Sequence, residues 1–217
     1  IRDVVFSCSL PSIFGKADQG MAPTTFWRHA MGTALVSQHL ARSLGIASPE
    51  KFYLAGLLHD IGILVNSLIL GSEFRKVLTE AEHSETPLNE VEAQVLGFTH
   101  CESGRILADL WKLPKDIAET IEFHHHPVSD ESNSEMTCII YLADLLCRLR
   151  GLGYGYYEAR EFDLASEPSW NLLQAKYSAA VELDMARFTL ELDEHANKVR
   201  ALVDSIFGKT TPASVSN

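Results

Sequence analysis

Basic residues are scarce in this sequence and never run together. Lys and Arg number 18 against 29 Asp and Glu, giving a net charge of −11. That excludes a nucleic-acid duplex or an anionic membrane as a general partner, because both are held by clustered cations. A small phosphorylated ligand held by one local cation is still allowed. Cysteine is scarce too. Cys8, Cys101, Cys138 and Cys147 show no CxxC spacing, and each sits in an apolar helical pattern. A disulfide framework is excluded at this density, and reduced thiols in a cytoplasmic protein are expected. No secretory pattern is present. The longest apolar run, 52–70, is broken by His59, Asp60, Asn66 and Ser67, so it reads as buried core rather than a membrane insertion. Alternating apolar and polar letters are also rare, which leaves little place for half-buried strands.

What the chain does contain is helical punctuation. Its 217 residues are 46% hydrophobic, enough for one large domain or one domain with an appendage. Thr24 or Thr25 is a candidate cap for a helix over 26–44 that Gly45 stops. Ser48 followed by Pro49 opens a second helix, interrupted by Gly62. A third covers 87–96 and ends at Gly97. The stretch THCE, 99–102, has capping-box spacing and starts a helix through Trp111. Pro114 opens and Pro127 closes the next, and after a polar loop at 128–134 an apolar helix spans 135–150. A Gly/Tyr-rich stretch, GLGYGYY, reads as that helix's C-cap and turn, with a lid over a functional site as the lesser alternative. Two more helices are expected over 167–181 and 184–207. The fold class is all-α, a helical bundle. The expected division is 1–23 as the end of a preceding helical segment and 24–151 as the core. Residues 152–208 are helices packing on that core, and 209–217 are a disordered tail. The opening IRDVVFSCSL has neither Met nor a capping residue, so the chain is expected to start partway into a larger domain.

Inside the apolar run stand His59 and Asp60. Burying an unpaired carboxylate costs several kcal/mol or more, so the pair requires partners or a cation. Candidates occur on other helices. His29 shares a face with Gly32, Thr33 and Val36, slim residues that leave room for something bulky. His100 occupies the first turn of its helix, and His124 and His125 the last turn of theirs. Asp144 lies beside Ile140 on the stripe Met136, Ile139, Ile140, Ala143, Cys147. Imidazoles with hard carboxylates are the ligand chemistry of Zn, Mn or Fe, and this set suits two ions bridged by a carboxylate. Each residue taken singly has a plainer reading: a hydrogen-bonded core histidine, a helix end, or Asp144 paired with Arg148 one turn on. Collectively the plain reading is poor. His39, His83 and His195 lack such settings, and His126 points roughly 100° away from His125.

The order WRHAMGTALVSQHLA, AGLLHDIGIL, LGFTHCESGRILADLWKLP, IEFHHHP, IIYLADLL resembles the HD superfamily of metal-dependent phosphohydrolases. More narrowly it resembles the HDOD (HD-related output domain) family of bacterial signalling proteins, over about 26–151. The resemblance implies an HD-like bundle with a metal site between helices. It implies one metal on His29, His59, Asp60 and Asp144, and a second on His100, His124 and His125, with Asp60 bridging and central to any catalysis. The ions would be Fe or Mn, with Zn as the alternative. The sister HD-GYP phosphodiesterases cleave cyclic dinucleotides at such a site. They carry a Lys where this chain has Ile63, and a GYP motif where it has VSDESNS. The reading is therefore a signal-transduction output domain with a complete metal site, its partners other signalling proteins or a small phosphorylated ligand. The alternative is an active phosphohydrolase acting on a nucleotide or other phosphoester.

Overall fold

The sequence of helix stops and starts maps onto the observed chain with a few instructive shifts. The structure, a computed structural model, describes residues 22–128, 134–154 and 163–207. The expectations for 1–21 and for the tail from 208 onward lie outside these residues. Among the described residues, eight α-helices lead from residue 22 to the 135–150 region: α1 Pro23–Ser43, α2 Pro49–Leu58, α3 Ile61–Leu70, α4 Ser72–Ser84, α5 Leu88–Val95, α6 His100–Leu110, α7 Lys115–Phe123 and α8 Glu135–Leu149. After a short 3-10 turn at Leu164–Ser166 come α9 Pro168–Lys176, α10 Ser178–Val181 and α11 Met185–Phe207. No strand occurs among the described residues, so the all-α expectation holds.

The shifts have physical causes. Helix α1 starts earlier than expected, because Pro23 takes the first helical position and Ala22 is the N-cap. Thr24 and Thr25 are inside the helix and cap nothing. Helix α4 was not anticipated, although Phe74, Val77 and Ala81 form its buried stripe. The expected 167–181 helix is two pieces, broken at Tyr177, whose backbone is extended and whose hydroxyl donates to Glu135. The Thr99 capping box forms as read: Thr99 Oγ1 accepts from the Glu102 amide, and the Glu102 carboxylate accepts from the Thr99 amide at 2.7 Å.

The most consequential shift is at the HD pair. The break in the apolar run falls at His59 and Asp60, not at Gly62; α2 ends at Leu58 and α3 begins at Ile61. Residues 49–70 are long and apolar enough to cross a membrane by composition. However, 67% of their most apolar window is buried within the protein, and the break leaves two helices of ten residues each. Gly62 has a different task. A Cβ there would lie 1.8 Å from the His100 carbonyl oxygen and 2.7 Å from the Gly104 nitrogen. Only a bare backbone lets α3 cross α6 this closely, and the crossing sets the first turn of α6, with His100, beside the HD break.

Helix α1 lies along α2 and α8, and its long partner α11 packs back on it. Phe26, Trp27, Met31, Leu40, Leu57, Leu58, Ile61, Ile139 and Ile140 are among the fully buried side chains that join these helices. Burying side chains of this size is worth about 1.5–3 kcal/mol each. The polar residues buried with them are therefore conspicuous.

Candidate metal centre

Asp60 is the hub. The helix break turns its carboxylate inward, where it is 4% exposed. Oδ2 lies 3.1 Å from His59 Nε2 and 3.7 Å from His29 Nε2; Oδ1 lies 3.0 Å from His124 Nε2 and 3.3 Å from His100 Nε2. Asp144 Oδ1 stands 2.9 Å from His29 Nε2, and His125 Nε2 is 3.0 Å from His100 Nε2. All seven sequence candidates thus converge on one place. His124 and His125 do so from the turn just beyond α7, not from its last helical turn. His126 is exposed, while His39 pairs with Glu191 at 2.9 Å and stacks on Phe188 far from this cluster's partners.

Hydrogen bonds on the far side of the rings decide what the near side can do. Nδ1 of His29, His59 and His124 faces the carbonyl oxygen of Leu152, Gly56 and Ile121, at 3.0, 2.8 and 2.9 Å respectively. A carbonyl only accepts, so each Nδ1 carries the proton. His100 Nδ1 is held likewise by the Glu92 carboxylate at 2.5 Å. In its neutral form each such ring would aim an Nε2 lone pair at carboxylate oxygens, and two acceptors would face each other across about 3 Å. His59 Nε2, His124 Nε2 and Asp60 Oδ1 are buried with no hydrogen-bond partner among the described residues. Such an arrangement requires positive charge at its centre. Three donor groups, His29/His59/Asp144, His59/Asp60/His124 and His100/Cys101/His124/His125, each have their ligand atoms within 4.8 Å of one another. Two ligands at ~2.0–2.2 Å from one metal stand at most ~4.4 Å apart, so the donor set fits metal ions in chemistry and nearly in span.

Protons respond to the same need. Burial pushes the Asp60 carboxyl up, but His59, His100 and His124 outweigh it and hold the group well below the usual carboxylate value. Burial opposes a charge on His124 too, yet Cys101 and Asp60 lift it to about 10. His100 is raised against burial by Glu92, while His125 is lowered by burial and by its two charged histidine neighbours. Metal entry would displace these protons.

Several contributors escaped the sequence reading. Glu92 is fully buried; besides His100 Nδ1 its Oε2 accepts the His100 amide at 2.9 Å, and its Oε1 accepts from Asn66 at 3.0 Å. It lies on the buried stripe of α5 with Leu88 and Val91, which was the available signal. Cys101, read as a plain core thiol, belongs to a donor group. Burial raises it, but His100 and His124 pull the thiol down to about 6. Tyr154 donates to Asp60 Oδ2 at 2.7 Å, so the Gly/Tyr stretch does more than turn the chain. The plain pairing of Asp144 with Arg148 also exists, on the oxygen that His29 does not use. The room beside His29 is taken by protein side chains, Leu152 and Cys147, packed against Gly32. Glu92→Gln keeps the shape and removes the charge that polarises His100. It should weaken metal binding on the His100 side by roughly 10–100-fold in a chelator competition titration. Unchanged affinity would remove Glu92 from the centre.

The family model for the HDOD domain matches residues 1–127, more than half the chain. The chain belongs to the HDOD family. An HDOD domain protein of unknown function from Geobacter sulfurreducens superposes with a TM-score of 0.81 at 28% identity, covering 95% of this chain and 70% of that one. A signal transduction protein candidate from Marinobacter aquaeolei VT8 shares the fold, with TM-score 0.67, 22% identity, and 83% and 39% of the two chains covered. An uncharacterised protein of Treponema pallidum (strain Nichols) is 27% identical over 124 residues, 56% of this chain; the chain matches only 24% of that protein's length. The HDOD match ends at 127, so Asp144, Arg148 and Tyr154 join the centre from beyond it.

Proposed function

We propose that this HDOD domain is a bacterial cytoplasmic signalling module built around a dinuclear metal centre. His29, His59, Asp60 and Asp144 hold one ion, and His100, His124 and His125 the other, with Asp60 between them. The observation that carries this is the set of proton-fixed imidazoles aiming lone pairs at Asp60 and Asp144. The ions are Fe or Mn, with Zn as the alternative. A thiol at Cys101 beside the second group favours Fe or Zn there over a harder cation. Bound, two such ions would supply an activated water and absorb charge on a phosphoester. The chain's own residues orient Asp60 and exclude bulk water, since six of the seven ligands are buried.

The module reading is favoured over the phosphohydrolase by position 63. Where the sister enzymes place Lys, Ile63 is fully buried in the apolar core, so no cation is offered to a phosphate from that place. Metal-loaded protein is therefore expected to turn over cyclic di-GMP and a panel of phosphoesters little or not at all, by chromatographic product assay. Robust cleavage abolished by Asp60→Ala would make it an enzyme. The structure also alters what Ile63→Lys should do: an ammonium among apolar neighbours costs stability unless it stays neutral.

A further inference from the structure

The turn after α8 touches the metal centre and the C-terminal helix at once. At one end, the Leu152 carbonyl accepts from His29 Nδ1. Two residues on, the Tyr154 hydroxyl donates to Asp60 Oδ2 at 2.7 Å, its ring 4.4 Å from that of His29. Leu152 and Tyr154 are both buried. At the other end, Arg150 is gripped by α11: its Nε lies 2.7 Å from Asp193 Oδ1, and the Arg200 guanidinium donates to its carbonyl oxygen. We propose that residues 150–154 are a strap coupling metal occupancy to the docking of α11, with Tyr154 as the positioning residue at the metal end. The proposal rests on the metal-centre reading above.

The coupling is mechanical and short-range. With a metal bound, the Asp60 carboxylate and the His29 ring that would hold it would be fixed, and with them the acceptor and donor that Tyr154 and Leu152 use. Five residues of extended chain span at most about 17 Å, and both ends of this segment are held, so little slack remains between the site and Arg150. Helix α11 is also tied to α1, which carries His29, through His39 with Glu191 and Arg28 with Asp204. Coupling through α1 alone would not involve the Tyr154 hydroxyl, and that separates the two routes. Linkage is reciprocal: whatever tightens α11 on metal loading must tighten metal when α11 is docked.

Hydrogen exchange of the α11 amides tests this in the whole chain, metal-free and loaded with Fe(II), Mn(II) or Zn(II), with metal content measured in each sample. Loading should slow α11 exchange at least ~5-fold, the low end of ordinary coupling. Tyr154→Phe loses one oxygen and keeps the ring. It should lower affinity for one equivalent by roughly 10–100-fold and, at saturating metal, lose most of the slowing. Arg200→Gln, remote from the ligands, should weaken metal binding at least ~5-fold by reciprocity. Identical α11 exchange with and without bound metal overturns the coupling, as does a Tyr154→Phe protein that matches wild type in affinity and exchange, or unchanged metal affinity in Arg200→Gln. Wild-type protein that binds no metal fails the metal reading instead, and the coupling with it.

Discussion

Asp60→Ala is expected to abolish binding of both metal equivalents, whereas Asp144→Ala should mainly weaken one. The difference follows from reach. Asp60 puts Oδ2 toward His59 and His29 and Oδ1 toward His124 and His100, so its loss removes the carboxylate that the two halves share among the described residues. Asp144 meets His29 on one oxygen and Arg148 on the other. The metal-free protein should also suffer from Asp60→Ala, because the raised imidazoles lose their buried counter-charge. Removing one partner of such a set costs about 3–5 kcal/mol. Calorimetric titration with elemental analysis reads the first effect and denaturant unfolding the second. Equal and negligible effects of the two substitutions would contradict the bridging assignment.

Gly62→Ala should be nearly as damaging, though it removes no ligand. Its Cβ would stand 1.8 Å from the His100 carbonyl oxygen and 2.7 Å from the Gly104 nitrogen, both backbone atoms that no rotamer change can move. Helices α3 and α6 must separate, taking His100 away from Asp60. The expected loss is ~3 kcal/mol or more, at the upper end for overpacking, together with the metal on the His100 side. Gly97→Ala is the contrast. Its φ of +77° makes a side chain strained by about 1–2 kcal/mol, but nothing lies within 4 Å of the added Cβ, so metal stoichiometry should survive. A Gly62→Ala protein with wild-type stability and two ions would mean that the close crossing is not what places His100.

Legibility varied with how local the cause was. Some caps and stops were readable because their chemistry sits within four residues, as at Thr99 with Glu102 or at Gly151 in its left-handed conformation, whereas the Thr24 or Thr25 cap and the Gly62 stop were misplaced. The seven ligands were readable because polar letters on apolar stripes stand out. Glu92 obeyed the same rule beside Leu88 and Val91, but it stands among Asn89, Glu90 and Gln94, which do not mark it as buried. Its burial depends on α3 and α6 closing over it, which no window of sequence contains. Tyr154 lay in a stretch that read mainly as a helix C-cap and turn, with a lid over the site as the lesser alternative. Its bond to Asp60 spans 94 positions and exists only because α8 ends beside the HD break. The rings' orientation was equally hidden, since the carbonyls of Gly56, Ile121 and Leu152 that fix each Nδ1 proton are backbone atoms whose aim the fold alone sets.

Elemental analysis of folded wild-type protein tests the central claim most directly, after incubation in turn with Fe(II), Mn(II) and Zn(II) and removal of loose metal. The dinuclear centre predicts about two equivalents of at least one of these ions, the number that imidazole and carboxylate donors in this arrangement would hold. Correctly folded protein that remains metal-free with all three would contradict it, and the buried lone pairs around Asp60 would then have to be filled by protons alone.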